Sequence, residues 1–369
     1  MKKVSAFLAL LFLSSSLLNT TKAETKDSFF IDSSLSASDQ KTMKEVMSSL
    51  DKEDRENVLF IAEDGTIIAN KPSLKSEFIE QNKGNIENGK LRKATAEELQ
   101  ERIVKQKDQE TETADFTTAA YSTPALDCTN TTPGAGATGP FRRVESTKGF
   151  TRLEADIYLP SKAANEAYIN PNSVGTSDDK GYIYTGSFIY APNSNLLNYT
   201  VDLGLALNYN AGTSSSHETW GMYFNGGTLV SGTYGNYQLG STVFMKYYIS
   251  AVDQHTLTVS GKNKAGTSVT NTVVMATTNT KGFAPANASR ISVRRVTSIA
   301  QNLNQEATTN SYIKNVNWTN VKVGTTSSST VLANSSNTAY FCGYHPQNIQ
   351  VDYISQSSES IWVKTGILP

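Results

Sequence analysis

Along Val201-Asp202-Leu203-Gly204-Leu205-Ala206-Leu207-Asn208 every second residue is a branched aliphatic, and the residues between are small or polar. A β-strand turns successive side chains to opposite faces, so this stretch has one face for a core and another that must stay outside it. Such a strand cannot bury its apolar face alone. The alternation recurs at residues 152–159, 182–190, 243–251, 255–261, 268–275, 291–299, 312–323 and 361–364, separated by gaps rich in Ser, Thr, Asn and Gly. This many strands in about 240 residues, with no helix-period segment among them, predict a mainly β fold, a two-sheet antiparallel jelly-roll sandwich.

The chain before residue 116 is different material. Residues 24–115 hold roughly 21 acidic and 14 basic side chains, against roughly 13 and 16 in 116–369. Apolar residues at helical spacing in Ser38-Asp39-Gln40-Lys41-Thr42-Met43-Lys44-Glu45-Val46-Met47 predict a helix, and Thr95 with Glu98 forms a capping box ahead of another. Residues 58–69 read as two strands about Asp64-Gly65. The expectation is a small acidic α+β module at 24–104, a polar linker at 105–120 and a sandwich domain at 121–369. An exposed linker invites cleavage, which makes the module a candidate propeptide. Residues 1–23, with Lys2-Lys3, the apolar run 4–18 and Ala23, read as a signal peptide, so the protein is expected to be secreted. That run is too short to span a bilayer, and membrane insertion is not expected.

Residues 243–252, then Leu257-Thr258-Val259-Ser260-Gly261, and the late run Val316-Asn317-Trp318-Thr319-Asn320-Val321-Lys322-Val323 resemble the middle and closing strands of concanavalin-like jelly rolls. That is the fold of legume-type lectins, laminin-G modules and several glucanases and polysaccharide lyases. The layout as a whole resembles secreted proteins of the YrpD type from spore-forming bacteria. The resemblance spans roughly residues 120–369 and implies a carbohydrate ligand by fold analogy. Lectin-like binding of extracellular or cell-wall polysaccharide is the function it implies.

Ser216-His217-Glu218-Thr219-Trp220 sets a histidine beside a carboxylate and an indole. On a strand over 217–225, His217 and Glu218 face opposite ways and form no catalytic pair unless a bulge intervenes. Glu218 and Trp220 share a face and suit a sugar, the carboxylate accepting from hydroxyls and the indole offering a platform. The alternative sends Trp220, Met222 and Phe224 into the core and leaves Glu218 at its rim. Asp202 and Asn208 are further ligand candidates. So are Phe244 and Tyr248, which flank Lys246 and are expected to line one concave surface together with Asp202 and Asn208.

An enzyme reading rests on Arg152-Leu153-Glu154-Ala155-Asp156. Glu154 and Asp156 match the start of the Glu-x-Asp run of jelly-roll glucanases, but Tyr158 and Leu159 stand where the closing acid belongs. Arg152-x-Glu154 and Gln254-His255 resemble the first two motifs of alginate lyases of this fold, while their lysine-containing motif is missing. Glu154, Asp156 and His255 are thus the catalytic candidates of a polysaccharide lyase or glycoside hydrolase. A salt-bridged outer face is the plainer account of 152–156. A structural matrix or envelope protein without a small ligand is the third class.

Three histidines and two cysteines lack zinc spacing, and there is neither a Gly-x-Ser-x-Gly elbow nor a phosphate-binding loop, so no metal and no cofactor are expected. Ser177-Asp178-Asp179-Lys180-Gly181 reads as a turn. Arg294 and Arg295 point to opposite faces of a strand, and the near-neutral charge balance argues against nucleic acid as a partner. In an exported protein Cys128 and Cys342 predict one disulfide.

Overall fold

A computed structural model describes residues 29–96, 98, 139–173, 176–209, 217–225, 227–277, 281–302, 307–325 and 330–368; the side chains of residues 208, 209, 217 and 218 lie outside that description. Two large sheets face each other across a hydrophobic core. The smaller has seven strands among the described residues, in the spatial order Gly232–Gln238, His217–Asn225, Leu197–Tyr209, Lys180–Tyr190, Ile291–Ala300, Phe141–Ser146 and Thr338–Tyr344, antiparallel throughout. The larger has eleven among the described residues, built around Ser358–Lys364, Tyr312–Gly324, Arg152–Tyr158, Thr242–Ala251, Gln254–Lys262 and Ser268–Ala276. Each alternating run falls in one of these strands to within a residue, which gives the mainly β sandwich its alternating inner and outer faces.

Register decides what faces inward. Val201, Leu203 and Leu205 lie opposite Ser187, Thr185 and Ile183, and all six point into the core. Val243, Met245, Tyr247 and Ile249 face them from the larger sheet, as the period-2 pattern predicts. One charged group crosses this interior. Glu359 of the larger sheet accepts from Arg142 and Arg295 of the smaller, each at 3.1 Å, with all three side chains buried.

The N-terminal region has the predicted α+β content, but its strands are added to the sandwich. Val58–Ile61 pairs in parallel with Ser268–Ala276, Val58 opposite Thr272, and Ile67–Ala69 extends the sheet by one more strand. Leu59 and Ile61 therefore enter the sandwich core. Val58 and Phe60 turn outward and meet Met43, Val46, Met47 and Leu50 of the helix region around Ala37–Ser48, together with Tyr248. The second helix, Pro72–Gln81, goes to the other side: Phe78 stacks on Phe224 with ring centroids 5.9 Å apart. Beyond its last turn Asn82 serves the open edge of Gly232–Gln238, donating to the Thr233 carbonyl at 2.7 Å and accepting from its N–H at 3.0 Å. An exposed strand edge is thereby closed. The charge shift near residue 116 accordingly marks a change in composition, while the apolar core runs through both regions.

Thr95 and Glu98 make the reciprocal capping bonds expected of them. The expected leader 1–23, the expected linker 105–120 and Cys128 lie outside the described residues. Cys342 is buried in Thr338–Tyr344, and no cysteine is free among the described residues. No described helix is long and apolar enough to cross a membrane.

Candidate functional site

The outward residues of Leu197–Tyr209 are Thr200, Asp202, Gly204 and Ala206, a row with little side-chain volume. Its neighbours supply the bulk. Gly204 is paired with Tyr184 on one side and Tyr223 on the other, and Ala206 with Tyr182 and Gly221. The result is a trough with a floor of small residues and walls of tyrosine. A Cβ at Gly204 would stand 2.2 Å from the Tyr184 Cα, so no larger residue can fill the floor without moving the strand. Tyr182 and Tyr223 meet over it with centroids 4.8 Å apart and ring planes tilted by 53°, so the two rings cover that part of the floor and present their outer faces. Tyr182 and Tyr184 pack edge to face. All three tyrosines are half-buried, and burial pushes the hydroxyls of Tyr182 and Tyr184 above the ordinary phenol range, so both remain neutral hydrogen-bond donors at physiological pH.

A charged cluster closes one end. Arg294 donates to Asp202 and, at 2.5 Å, to Thr200, with its guanidinium 3.8 Å from the centroid of the Phe188 ring. Arg143 lies over Phe188 from the next strand but one. Glu145 accepts from the hydroxyls of Tyr190 and Ser292, both at 2.5 Å. Burial pushes the Glu145 carboxyl up, against the opposing pull of Arg143. Arg143, Glu145, Phe188 and Arg294 are buried, so Tyr182, Tyr184, Tyr223 and Asp202 carry the part-exposed aromatic faces and polar groups that a polar ligand with flat apolar patches could meet.

Asp202, chosen from the sequence, belongs to this trough. The other ligand candidates do not assemble around it. Trp220 is fully buried and donates through Nε1 to the Pro160 carbonyl at 3.2 Å, so with Met222 and Phe224 it forms core and offers no platform. The side chains of Glu218 and Asn208 lie outside the described residues. Phe244 and Tyr248 sit on the outer face of the larger sheet, whereas Asp202 is on the outer face of the smaller, so the concave surface expected to unite them is not formed. Tyr248 is moreover buried under the N-terminal region, its hydroxyl donating to Asp54 at 2.8 Å.

The catalytic candidates are also divided. Glu154 accepts from Arg152 at 2.7 Å and from Thr330, and Asp156 accepts from Asn320, the salt-bridged outer face that one-sided burial predicts. His255 points the other way, into the core. Its Nδ1 lies 2.8 Å from the Tyr247 hydroxyl, which in turn lies 2.5 Å from the Ser187 hydroxyl, and burial pushes its pKa down to about 3. One sheet's thickness therefore separates His255 from the two carboxylates. Asp179 accepts from Ser177 within its turn and from the distant Gln301 and Ser311, and no cluster of three or more His, Cys, Asp or Glu is placed for a metal among the described residues.

Tyr182, Tyr184, Tyr223, Arg143, Glu145 and Arg294 were not chosen as site residues from the sequence. The signal available was the outward half of each alternating run, where Tyr182 and Tyr184 stand two apart.

No family model matches the chain, and no curated protein does, so the resemblance to YrpD-type proteins gains no support. Among solved structures, scytalido-glutamic peptidase with a peptide-based transition-state analogue matches at 12% identity and a TM-score of 0.38, covering 61% of this chain and 98% of that one. SCP-B, a member of the Eqolisin family of peptidases in complex with the tripeptide Ala-Ile-His, matches at 12% identity and 0.35, covering 62% and 97%. The marine PL-14 alginate lyase from Aplysia kurodai matches at 10% identity and 0.23, covering 42% and 70%. Likenesses this distant carry no functional weight.

Proposed function

We propose that the protein is a secreted carbohydrate-binding protein that lays a polysaccharide segment along the outer face of the smaller sheet. The observation behind this reading is the trough itself: Gly204 and Ala206 as floor, Tyr182, Tyr184 and Tyr223 as walls, and the Asp202–Arg294 pair at one end. A pyranose ring presents apolar C–H faces and a rim of hydroxyls. The tyrosine rings receive the former, and Asp202 with the phenol hydroxyls receives the latter. The leader-like residues 1–23 supply the route out of the cell.

A glycan array, run beside reducing-sugar and unsaturated-product assays, tests the reading. Binding without products is expected, weakened about tenfold or more by Tyr182→Ala or Tyr223→Ala, as for other aromatic contact residues. Absence of glycan binding, or binding indifferent to both substitutions, overturns it. Release of products would move the assignment to a lyase or glycoside hydrolase.

A further inference from the structure

Beyond the charged end of the trough lies a groove of about 500 Å³. It is lined by Lys148, Arg290, Asn193, Ser194, Asn195 and Ser289, among others, and no carboxylate lines it. Tyr190 ties it to the trough. Its ring lies 4.2 Å from the Lys148 ammonium, its carbonyl accepts from Arg290 Nε at 2.8 Å, and its hydroxyl donates to Glu145 in the cluster already described. That one bond to Nε fixes the guanidinium plane of Arg290, while its two Nη atoms make no hydrogen bond to the described residues. Lys148 is held in place by the Ser194 carbonyl at 3.0 Å and Asn195 Oδ1 at 2.7 Å. A fixed guanidinium fork is the geometry that takes two oxygens of one anion, and a neighbouring ammonium adds a second positive charge.

Building on the carbohydrate reading above, we infer that the bound polysaccharide is acidic and that the Lys148–Arg290 groove receives its carboxylate or sulfate groups. Neutral rings then lie against the tyrosines and an anionic substituent reaches the groove past Tyr190.

Calorimetric titration of the full chain with polygalacturonate, dextran sulfate, neutral dextran and poly-glutamate tests this. At least one acidic polysaccharide should bind about tenfold or more tighter than dextran at low salt, with the gap closing as salt screens the charges. The carboxylated and sulfated arms tell the two anions apart. Lys148→Gln should remove most of the gap, and Ser289→Glu, at an exposed position on the rim, should do the same without disturbing the core. Equal affinity for acidic and neutral chains, or full retention by both variants, overturns the inference. Poly-glutamate binding with equal affinity and the same sensitivity would reassign the groove to acidic peptides. Dextran binding that depends on Tyr182 and Tyr223 without any acidic preference leaves the trough standing and removes only the groove; binding of no glycan removes both.

Discussion

Lys246 Nζ and Asp54 Oδ2 meet 2.8 Å apart, with side chains 2% and 1% exposed, and join the central strand of the larger sheet to the N-terminal region. Asp51 and Glu53 reach the same ammonium at 3.2 and 3.1 Å, Asp51 also takes Arg152 at 2.7 Å, and Tyr248 donates to Asp54. The acidic excess before residue 116 is thus met, in part, by basic residues of the strands it covers.

Removing one partner of a buried pair costs more than the pair contributes, because the survivor keeps its desolvation penalty. Burial already pushes the Asp54 carboxyl up against the pull of Lys246. Lys246→Met should therefore lower unfolding free energy by about 3 to 5 kcal/mol, read from urea denaturation. The double variant Lys246→Met with Asp54→Leu should recover much of that loss. A single variant no worse than the double would mean that the junction is not what holds the carboxylate.

The same junction bears on whether the N-terminal region can leave. Parallel pairing of Val58–Ile61 with Ser268–Ala276, apolar contacts on both faces of that strand and the Asn82 bonds to Thr233 all cross between the two parts. A chain cut by protease within 105–120 should still elute as one species in gel filtration and separate only in denaturant. Release under native conditions would instead identify the region as a removable propeptide.

Local periodicity was enough to place the long central strands, the inward set Val201, Leu203, Leu205, and the opposite aims of Arg294 and Arg295, but not the strands Phe141–Ser146, Gly232–Gln238, Thr338–Tyr344 and Ile349–Ser355. Pairing between distant residues leaves no such local mark. Val58 lies beside Thr272, and the residues that bury Tyr248 come from around residues 43–68, so a face that alternation marks as outward is covered from far along the chain. The trough has the same origin. Tyr184, Gly204 and Tyr223 sit on three strands, and only register sets the glycine between the two rings.

His255 gives the fold a pH dependence of known sign. Its folded pKa is depressed to about 3 by burial, below the ordinary value of 6.5. The neutral ring is favoured in the folded state, so its contribution is complete above about pH 6.5 and is lost as pH falls toward 3, at up to about 1.4 kcal/mol per pH unit. His255→Gln should lower stability at neutral pH but flatten its decline between pH 6.5 and 4. Parallel curves for variant and wild type, measured as denaturation midpoints against pH, would place the titrating group elsewhere.

The two cysteines carry the last prediction. Cys342 is fully buried on Thr338–Tyr344, opposite Arg143, and the chain's other cysteine, Cys128, precedes the first strand of the smaller sheet. The proposed export to an oxidising compartment and a single permitted intramolecular pairing lead us to propose a Cys128–Cys342 disulfide. It would close a loop of roughly 200 residues, for which chain entropy gives about 5 kcal/mol at most. Denatured, unreduced protein should show no titratable thiol, and a non-reducing peptide map should recover the two cysteines in one linked species. Reduction, or Cys128→Ser, should lower the melting temperature together with the urea midpoint. Two free thiols in the denatured protein would sink the proposal.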